Sequence, residues 1–389
     1  MLNLTAIRKD IPSLAKSIYL NTGGIGPITR PVYEILTREF TEQFIDGSPM
    51  NMRPQSLQME QTRAREAMAR FLGASPGEIC FTRGVSDGAS TVMNGFSWQP
   101  GDEVIATNEE HSAFYLPTLL LKKRFGVIVR LLELENDDDE ILRRFQALLS
   151  KRTRLAAISH VTTDNGIRLP VRAICAAAHQ AGVPVLLDGA QSVGQFSVDL
   201  KEIGCDFYSV LSYKWMLGPY SAGVLYITED WVNRLEVTAT GARAERAMNY
   251  AAGTFELVPG AQRFEFGPHV TPAWLAMVEA AHYLQEIGLD EVERQAQGQA
   301  AYLRQALRAI PRVILRSPES PELSTGIVAF SIDGLPGREI SQAFRARWNI
   351  ITRPMGLRFD GVRVSVAFFT TREELDTLVE AVDSLARAT

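Results

Sequence analysis

The chain has 389 residues, of which 46% are hydrophobic and 22% charged, as expected for a globular protein too long for one ordinary domain. Its formal net charge of -5 at pH 7, without any Lys/Arg-rich run, argues against a nucleic-acid partner. No apolar stretch reaches about 18 residues, and the N-terminal residues lack the apolar core of a signal peptide, so we expect no membrane association and a cytoplasmic location.

The first two-thirds of the chain alternates short apolar runs with stretches of helical periodicity. The apolar runs predict strands at Ile79–Thr82, Glu103–Ala106, Ile128–Leu132, Leu155–Ser159, Val183–Asp188, Phe207–Val210 and Gly223–Ile227. Helical periodicity predicts helices at Leu116–Arg124, Glu140–Leu149 and Val171–Gln180. This alternation predicts an α/β fold with a mostly parallel sheet covered by helices on both faces. Ligands of such sheets bind at the carboxyl ends of the strands.

The pattern changes near residue 260. Helices are predicted at Pro272–Ile287, Leu289–Leu307 and Arg372–Ala386, with short strands at Gly326–Ile332 and Arg363–Ala367. These elements predict a smaller α+β domain, with which the N-terminal residues are expected to pack. The predicted division is a large domain at 18–260 and a small domain formed by 1–17 and 261–389.

A lysine with aromatic neighbours follows the predicted strand Phe207–Val210. Lys214 lies in the run LSYKWMLGP between Tyr213 and Trp215, and such surroundings disfavour the charged form of an amine. An uncharged amine is the nucleophile that forms a Schiff base with a carbonyl cofactor. A lone lysine is more often a solvated surface residue, so this prediction depends on the other groups at the same edge of the sheet.

Asp188 ends another predicted strand, in the run VLLDGAQSVG. A carboxylate beside a pyridine nitrogen keeps the ring protonated, so that the ring accepts electrons from a substrate carbanion. Gln191 follows in the same run, with an amide that suits the phenolic oxygen of such a ring. An acid that caps the next segment is the ordinary alternative for Asp188 alone.

Three further signals fit a phosphorylated ring cofactor and a carboxylate substrate. In FTRGVSDGAS a helix is predicted to begin near Ser86, and its N–H groups and dipole suit a phosphate, although N-capping by Ser86 is the ordinary alternative. His111 offers a flat ring for stacking and a group that transfers protons near pH 7. Arg363 has the planar fork that binds a carboxylate with two hydrogen bonds.

This order of phosphate turn, histidine, acid, lysine and arginine resembles the class V aminotransferase family of fold-type I pyridoxal 5'-phosphate (PLP) enzymes. The resemblance extends from YLNTGGIGP to GVRVSVAFFTTREELD. It implies PLP as the cofactor, an amino acid as the substrate, a seven-stranded large domain, a small C-terminal domain and a homodimer with sites at the interface. The implied roles are Lys214 as Schiff-base lysine, Asp188 as partner of the pyridine nitrogen, Gln191 as donor to the phenolic oxygen, His111 stacked on the ring, Gly84, Val85 and Ser86 at the phosphate, and Arg363 at the substrate carboxylate.

Several positions depart from the family pattern. Leu211 stands where the family has a serine or threonine for the phosphate, and Ser212 is expected to replace that contact. Tyr213 stands at the usual histidine, with a hydroxyl within reach of the phosphate, and Thr163 stands where asparagine is frequent. Pro268 replaces a threonine that in the family reaches the phosphate of the neighbouring subunit. Arg353 is a second candidate for the substrate carboxylate, and a loop near Gly23 is expected beside the substrate.

Several reactions start from the Cα carbanion that this family forms on PLP. Cysteine desulfurases need a mobile cysteine ahead of the carboxylate arginine, and the segment Asn349–Arg363 has none. Cys80, Cys175 and Cys205 are expected to be buried and fit neither disulfides nor a metal site. Cystine or cysteine C–S lyases do not need that cysteine, and LNTGGIGP resembles their glycine-rich turn.

Isopenicillin N epimerase-like proteins need a second acid–base group, for which His111 and Tyr213 are candidates, and aminotransferases use the same carbanion. A PLP-binding protein without turnover is an alternative of another class. The favoured hypothesis is a PLP-dependent lyase that performs β-elimination on cysteine, cystine or a related sulfur amino acid.

Overall fold

The structure is a computed structural model, and it describes residues 2–388. The helices are α1 (Leu4–Lys9), α2 (Arg30–Asp46), α3 (Pro49–Met52), α4 (Pro54–Phe71), α5 (Val85–Asn94), α6 (Ser112–Phe125), α7 (Asp138–Leu148), α8 (Val171–Gln180), α9 (Leu200–Ile203), α10 (Glu229–Val232), α11 (Thr271–Ile287), α12 (Leu289–Arg308), α13 (Gly337–Trp348) and α14 (Arg372–Ala388). The strands are β1 (Ile18–Tyr19), β2 (Ile79–Thr82), β3 (Glu103–Thr107), β4 (Ile128–Leu132), β5 (Thr153–Ser159), β6 (Val185–Asp188), β7 (Phe207–Leu211), β8 (Gly223–Ile227), β9 (Glu245–Asn249), β10 (Thr254–Leu257), β11 (Val313–Leu315), β12 (Ile327–Ile332), β13 (Ile350–Ile351), β14 (Arg353–Met355) and β15 (Gly361–Ser365).

The large sheet has seven strands in the order β2-β8-β7-β6-β5-β3-β4. Strand β8 is antiparallel to both of its neighbours, and the other pairs are parallel. Each strand corresponds to one predicted from an apolar run, so the prediction of a mostly parallel seven-stranded sheet is confirmed. The central strands β6 and β7 are buried throughout because both faces of the sheet are covered, which is why they read as continuous apolar runs.

Three neighbouring strands of this sheet end at the same edge. Ser159 at the end of β5 pairs with Asp188 at the end of β6, and Asp188 pairs with Ser209 near the end of β7. The segments that leave these strands carry Thr163, the turn after Asp188, and Lys214. The parallel register therefore brings groups from distant parts of the chain to one crevice, where ligands of open α/β sheets bind.

A second, antiparallel sheet has the order β11-β12-β15-β14 and packs with α12, α13 and α14 around Phe330, Phe344 and Leu378. The N-terminal strand β1 pairs in parallel with β13, and Leu20 lies in the same core. Helix α11, by contrast, packs into the core of the large sheet through Trp274. The division of the chain at residue 260 stays a prediction.

Sequence periodicity did not predict the long helices α2 and α4 or the hairpin β9–β10. In α2, Val32 is fully buried whereas Phe40 and Phe44 are exposed, so its apolar side chains do not trace one buried stripe. The strands of the hairpin are exposed along most of their length. Among residues 2–388 no helix is long and apolar enough to cross a bilayer.

Candidate active site

A cavity of about 250 Å³ lies at the carboxyl edge of the large sheet. Its lining residues are Arg83, Gly84, Val85, Ser86, Asp87, His111, Ala113, Asp188, Ala190, Leu211, Tyr213 and Lys214. The fold thus brings residues proposed from four separate sequence segments to one place. A second pocket, which includes Thr163 and Arg353, shares His111, Tyr213 and Lys214 with the first, so the two adjoin.

Lys214 is buried on the turn that follows β7. The N–H of Gly26 donates to the carbonyl oxygen of Tyr213, and a Cβ at Gly26 would overlap the carbonyl oxygen of Lys214. Only glycine therefore lets the N-terminal segment approach this turn so closely. Burial is the main cause that lowers the pKa of Lys214 to about 8. The negative charge of Asp188 opposes this shift, and the positive charge of Arg363 adds to it. A share of the amine is uncharged near neutral pH, as a nucleophile requires.

Asp188 is buried at the end of β6, and its Oδ1 accepts a 2.7 Å hydrogen bond from the N–H of Ala190. Burial raises the pKa of Asp188, whereas the ammonium of Lys214 and the bond from Ala190 lower it. A cation placed against this carboxylate would offset the cost of burial. The acid therefore has the environment that a protonated ring nitrogen requires.

The predicted phosphate turn is present, with one correction. Gly84, at φ 136°, is the N-cap of α5, a backbone conformation that favours glycine. Ser86 is the second residue of the helix, so the interpretation of Ser86 as the N-cap is wrong. Gly84, Val85 and Ser86 all line the cavity, and the first N–H groups of a helix have no partner within it. This helix end can hold an anion.

Arg83 lines both pockets and was not predicted. It forms a 3.2 Å ion pair with Asp87 one helical turn away, and its side chain is largely exposed. A guanidinium beside the N-terminus of α5 adds a second attraction for a phosphate. The sequence signal was available, because Arg83 directly precedes the glycine of the turn.

His111 is the N-cap of α6, and its Nδ1 accepts a 3.1 Å hydrogen bond from the N–H of Ala113. Nδ1 is therefore unprotonated, and the proton of the neutral ring lies on Nε2. Burial, followed by the charge of Lys214, lowers the pKa of His111 to about 4. The ring is available for stacking, but it is neutral and poorly suited to transfer protons near pH 7. Its role in proton transfer stays a prediction.

Gln191 does not line the cavity, and its amide is engaged elsewhere. Its Nε2 donates to the carbonyl oxygen of Gly23 at 2.8 Å and to Oγ1 of Thr163 at 3.3 Å. Its Oε1 accepts from the indole N–H of Trp215 at 2.7 Å. Gln191 therefore links the glycine-rich segment to Thr163. Both N–H groups of its amide are used in these bonds, so neither can donate to a phenolic oxygen. The predicted donor role does not match this geometry.

Arg363 is completely buried on β15 and lines neither pocket, but its neighbours Thr163 and Arg353 line the second one. Its Nη1 donates to the carbonyl oxygen of Thr163 at 2.7 Å and to Oγ1 at 3.2 Å. Nε and Nη2 have no partner among residues 2–388. Arg353 lies directly opposite on β14, so the two guanidinium groups share one face of the small sheet. Burial, followed by Arg353, lowers the pKa of Arg363 to about 9. Two unpartnered donors on a desolvated fork are a ready site for a carboxylate.

The departures from the family pattern have different outcomes. Leu211 lines the cavity with an aliphatic side chain. The hydroxyl of Ser212 is directed to the carbonyl oxygens of Pro219 and Ala222, so Ser212 is not placed to replace the lost phosphate contact. Tyr213 lines both pockets, with its ring 5.2 Å from that of Tyr220. Pro268 lies in a different groove, beside Phe266 and His269.

Comparison with known proteins gives consistent matches over the whole chain. The family model for aminotransferase class-V matches residues 18–378. The isopenicillin N epimerase of Streptomyces clavuligerus is 29% identical over 95% of this chain and 94% of its own. A cysteine desulfurase of Pectobacterium atrosepticum is 30% identical over 98% of this chain and 97% of its own.

A solved structure with the same fold is that of the cystine C–S lyase C-DES in complex with cysteine persulfide. It has a TM-score of 0.87 and 26% identity, covering 96% of this chain and 99% of that one. In another structure of C-DES, with a TM-score of 0.89, glycine is covalently linked to the PLP cofactor. The fold class expected from the sequence is thereby confirmed, and the chain belongs to the class-V aminotransferase family.

Proposed function

We propose that this protein is a PLP-dependent lyase that eliminates the β-substituent of cysteine, cystine or a related sulfur amino acid. The observation that carries the proposal is one cavity in which a buried lysine of lowered pKa faces a buried acid, beside an arginine with two free donors. Perturbed titratable groups that converge on a crevice mark a reactive site.

The residues of the cavity fit PLP. Lys214 supplies the amine for the carbonyl carbon, Asp188 a partner for the ring nitrogen, and His111 a neutral ring for stacking. The N-terminus of α5, with Arg83 beside it, suits the phosphate. When bound, PLP withdraws electrons from the Cα of the amino acid that it carries.

The substrate carboxylate is expected at Arg363. Nε and Nη2 of this side chain are buried without a partner, and a carboxylate would accept from both. Thr163 holds the guanidinium in place through Nη1. The buried cation would then be neutralised by the ligand, which offsets the desolvation that lowers its pKa.

Lys214 supplies the one base that elimination needs. Buried and of lowered pKa, it would take the Cα proton of an amino acid bound in the cavity. Epimerisation needs a second group on the opposite face. His111 is neutral with Nδ1 occupied and a low pKa, so it is poorly suited to that task near pH 7. Burial raises the pKa of Tyr213 and keeps its hydroxyl protonated, so Tyr213 is the group on which the epimerase alternative depends. Removal of the proton by a single base, followed by loss of the thiolate from Cβ, fits these groups.

The cysteines argue against a desulfurase that stores sulfur on its own thiol. All three lie among the described residues, all three are buried, and none lines either pocket. Burial raises the pKa of Cys175 to about 12 and raises those of Cys80 and Cys205 well above the ordinary value, so the reactive thiolate forms of all three are suppressed. The loop between β14 and β15 contains no cysteine.

The test follows the products. Purified protein with PLP is incubated with L-cystine or L-cysteine, and pyruvate, alanine, D-amino acid and 2-oxo acid are measured. Pyruvate with ammonia and a released sulfur species is the expected result. Lys214→Ala should produce none of these. Alanine with protein-bound sulfur would instead indicate a desulfurase, and a 2-oxo acid that retains sulfur would indicate transamination.

Isopenicillin N epimerase activity is the second candidate, because that relative is similar over almost its whole length. Epimerisation would incorporate solvent deuterium at Cα with inversion and without release of sulfur. Chiral chromatography of the recovered amino acid in deuterium oxide distinguishes it from elimination. Inversion as the principal outcome would refute the lyase proposal and the one-base argument.

A homodimer is part of the same proposal. Large apolar side chains on α2 and on the hairpin β9–β10 are exposed, among them Phe44, Tyr250 and Phe255. Large apolar side chains exposed in this way are frequent at protein interfaces. Sedimentation velocity should give a dimer, which Phe44→Glu weakens and Ile314→Glu, on the edge strand β11 of the small sheet, does not. A monomeric wild-type protein at micromolar concentration would contradict this part of the proposal.

A further inference from the structure

A chain of buried hydrogen bonds lies beside the turn that carries Asp188. The hydroxyl of Tyr208 is 2.8 Å from Nδ1 of His160 and 2.6 Å from Oγ of Ser192, and Ser192 also donates to the carbonyl oxygen of Gly189 at 3.1 Å. Tyr208 and Ser192 are completely buried and His160 nearly so. None of the three lines the cavity, so the chain is separate from the groups assigned to cofactor and substrate.

The donor and the acceptor of each hydrogen bond in this series can be assigned in one consistent way. Because Ser192 donates to Gly189, its oxygen accepts from Tyr208, and the oxygen of Tyr208 then accepts from the Nδ1–H of His160. Burial lowers the pKa of His160 to about 3, so its ring carries a single proton at physiological pH. A fully satisfied buried network of this kind holds its members in one arrangement.

The ring of Tyr208 also packs directly on the turn. A Cβ at Gly189 would overlap Cε1 of Tyr208 and lie 2.9 Å from Cζ, so glycine is needed after the acid. The backbone N–H of Gly189 donates to Ser209 at 2.8 Å, and that of His160 donates to the carbonyl oxygen of Asp188 at 3.0 Å. The turn is therefore held by the sheet, by the ring and by the hydrogen-bond chain.

We propose that Tyr208, with His160 and Ser192, is a positioning residue that holds the Asp188 carboxylate against the ring nitrogen of bound PLP. The inference rests on the proposed function and deepens it. The physical reason is that Asp188 has a single backbone hydrogen bond, from Ala190, and Ala190 lies within the turn that this chain holds. A displaced turn would displace both the acid and the bond that orients it.

The test compares Tyr208→Phe with a matched control. Tyr208→Phe keeps the ring on Gly189 but removes the hydroxyl, which leaves His160 and Ser192 without their shared partner. The control is Tyr226→Phe, because Tyr226 is equally buried and lies opposite Tyr208 on β8, away from β6. We expect the dissociation constant of PLP from the holoenzyme to rise about tenfold in Tyr208→Phe, the effect of one buried hydrogen bond, and to stay unchanged in Tyr226→Phe.

The absorbance of the bound cofactor supplies a readout independent of activity. Without its partner acid, the ring nitrogen of the cofactor would lose its proton and its positive charge. The nitrogen that joins the lysine to the cofactor would then have a higher pKa, because that charge no longer repels its proton. The midpoint of the pH titration of the visible band should therefore rise in Tyr208→Phe and remain at the wild-type value in Tyr226→Phe. Ser192→Ala should give the same shift, and the double variant should add little, since both changes break one chain.

Three outcomes would overturn the inference, and they can be told apart. A wild-type protein that binds no PLP refutes the proposed function as well. Normal binding by the wild type, with Tyr208→Phe and Tyr226→Phe alike in PLP affinity and titration, refutes only the positioning role. Additive effects of Tyr208→Phe and Ser192→Ala would show that the two do not act through one chain. If Tyr208→Phe does not fold, the smaller change Ser192→Ala decides the question.

Discussion

Replacement of Arg363 by lysine tests the assignment of the substrate carboxylate. Lysine keeps the positive charge but has no planar fork, so it cannot reproduce the two buried donors Nε and Nη2 that now lack a partner. A hydrogen bond to a charged group contributes about 1.5–3 kcal/mol. The loss of one such bond should lower kcat/KM by roughly 10- to 100-fold, at about 1.4 kcal/mol for each factor of ten.

The effect should appear mainly in KM, because the carboxylate is bound equally in the ground state and in the transition state. The assay is pyruvate release over a range of L-cystine concentrations. The affinity for PLP is measured in parallel, because Arg363→Lys also removes the bond from Nη1 to Thr163 and a displaced Thr163 segment would disturb more than the substrate.

Arg353→Lys is the matched control on the neighbouring strand. Arg353 is only half-buried, so water can replace much of the hydrogen bonding that its guanidinium provides. We therefore expect kcat/KM of Arg353→Lys to fall by less than about tenfold. An Arg363→Lys variant within twofold of wild type, with a large loss in Arg353→Lys, would reverse the assignment. Equally small decreases in kcat/KM for Arg363→Lys and Arg353→Lys would refute the proposal that this face of the small sheet binds the substrate carboxylate.

Three further predictions concern the cofactor site. Lys214→Ala should abolish the covalent attachment of PLP to the protein that borohydride reduction traps in the wild type, and PLP trapped on the variant would identify another lysine as the attachment point. The pKa of Lys214 without cofactor is about 8, and only the uncharged amine reacts with PLP. The rate of PLP capture should therefore rise about tenfold per pH unit below pH 8 and level off above it. A rate that does not change between pH 6 and pH 8 would contradict this prediction. Gly26→Ala would place a methyl group against the carbonyl oxygen of Lys214. Thermal denaturation should show that this variant is destabilised by about 1–3 kcal/mol, and its affinity for PLP should fall. Gly298→Ala is the control: its added Cβ meets no atom within 4 Å, so neither stability nor PLP affinity should fall.

The grouping of the candidate site residues could be predicted because it depends on residue types at and just after strand ends. Asp188 ends one strand and Lys214 follows the next, both strands have apolar runs that are evident in the sequence, and the parallel register places the two residues together. Arg363 was found by its place in a strand of the small domain. Local information was sufficient for these groups, since position along a strand determines which edge of the sheet they reach.

Side-chain direction could not be predicted in the same way. Gln191 was expected at the cofactor, but Trp215, Gly23 and Thr163 use its whole amide. Ser212 was expected at the phosphate, but its hydroxyl is directed to nearby backbone carbonyls. In both cases the competing partners come from segments whose proximity is created by the folded chain.

The sequence by itself determined the seven strands of the large sheet and the class of fold, and it singled out the lysine, acid and arginine as candidates, because apolar runs and residue chemistry are local properties. The tertiary structure alone decided which polar atoms remain free. It pairs the N-terminal strand with β13, leaves two donors of Arg363 without partners, fixes the proton of His111 on Nε2, and places Tyr208 under the turn of Asp188. These are long-range contacts, and the burial that they create sets the pKa values on which the proposed chemistry depends.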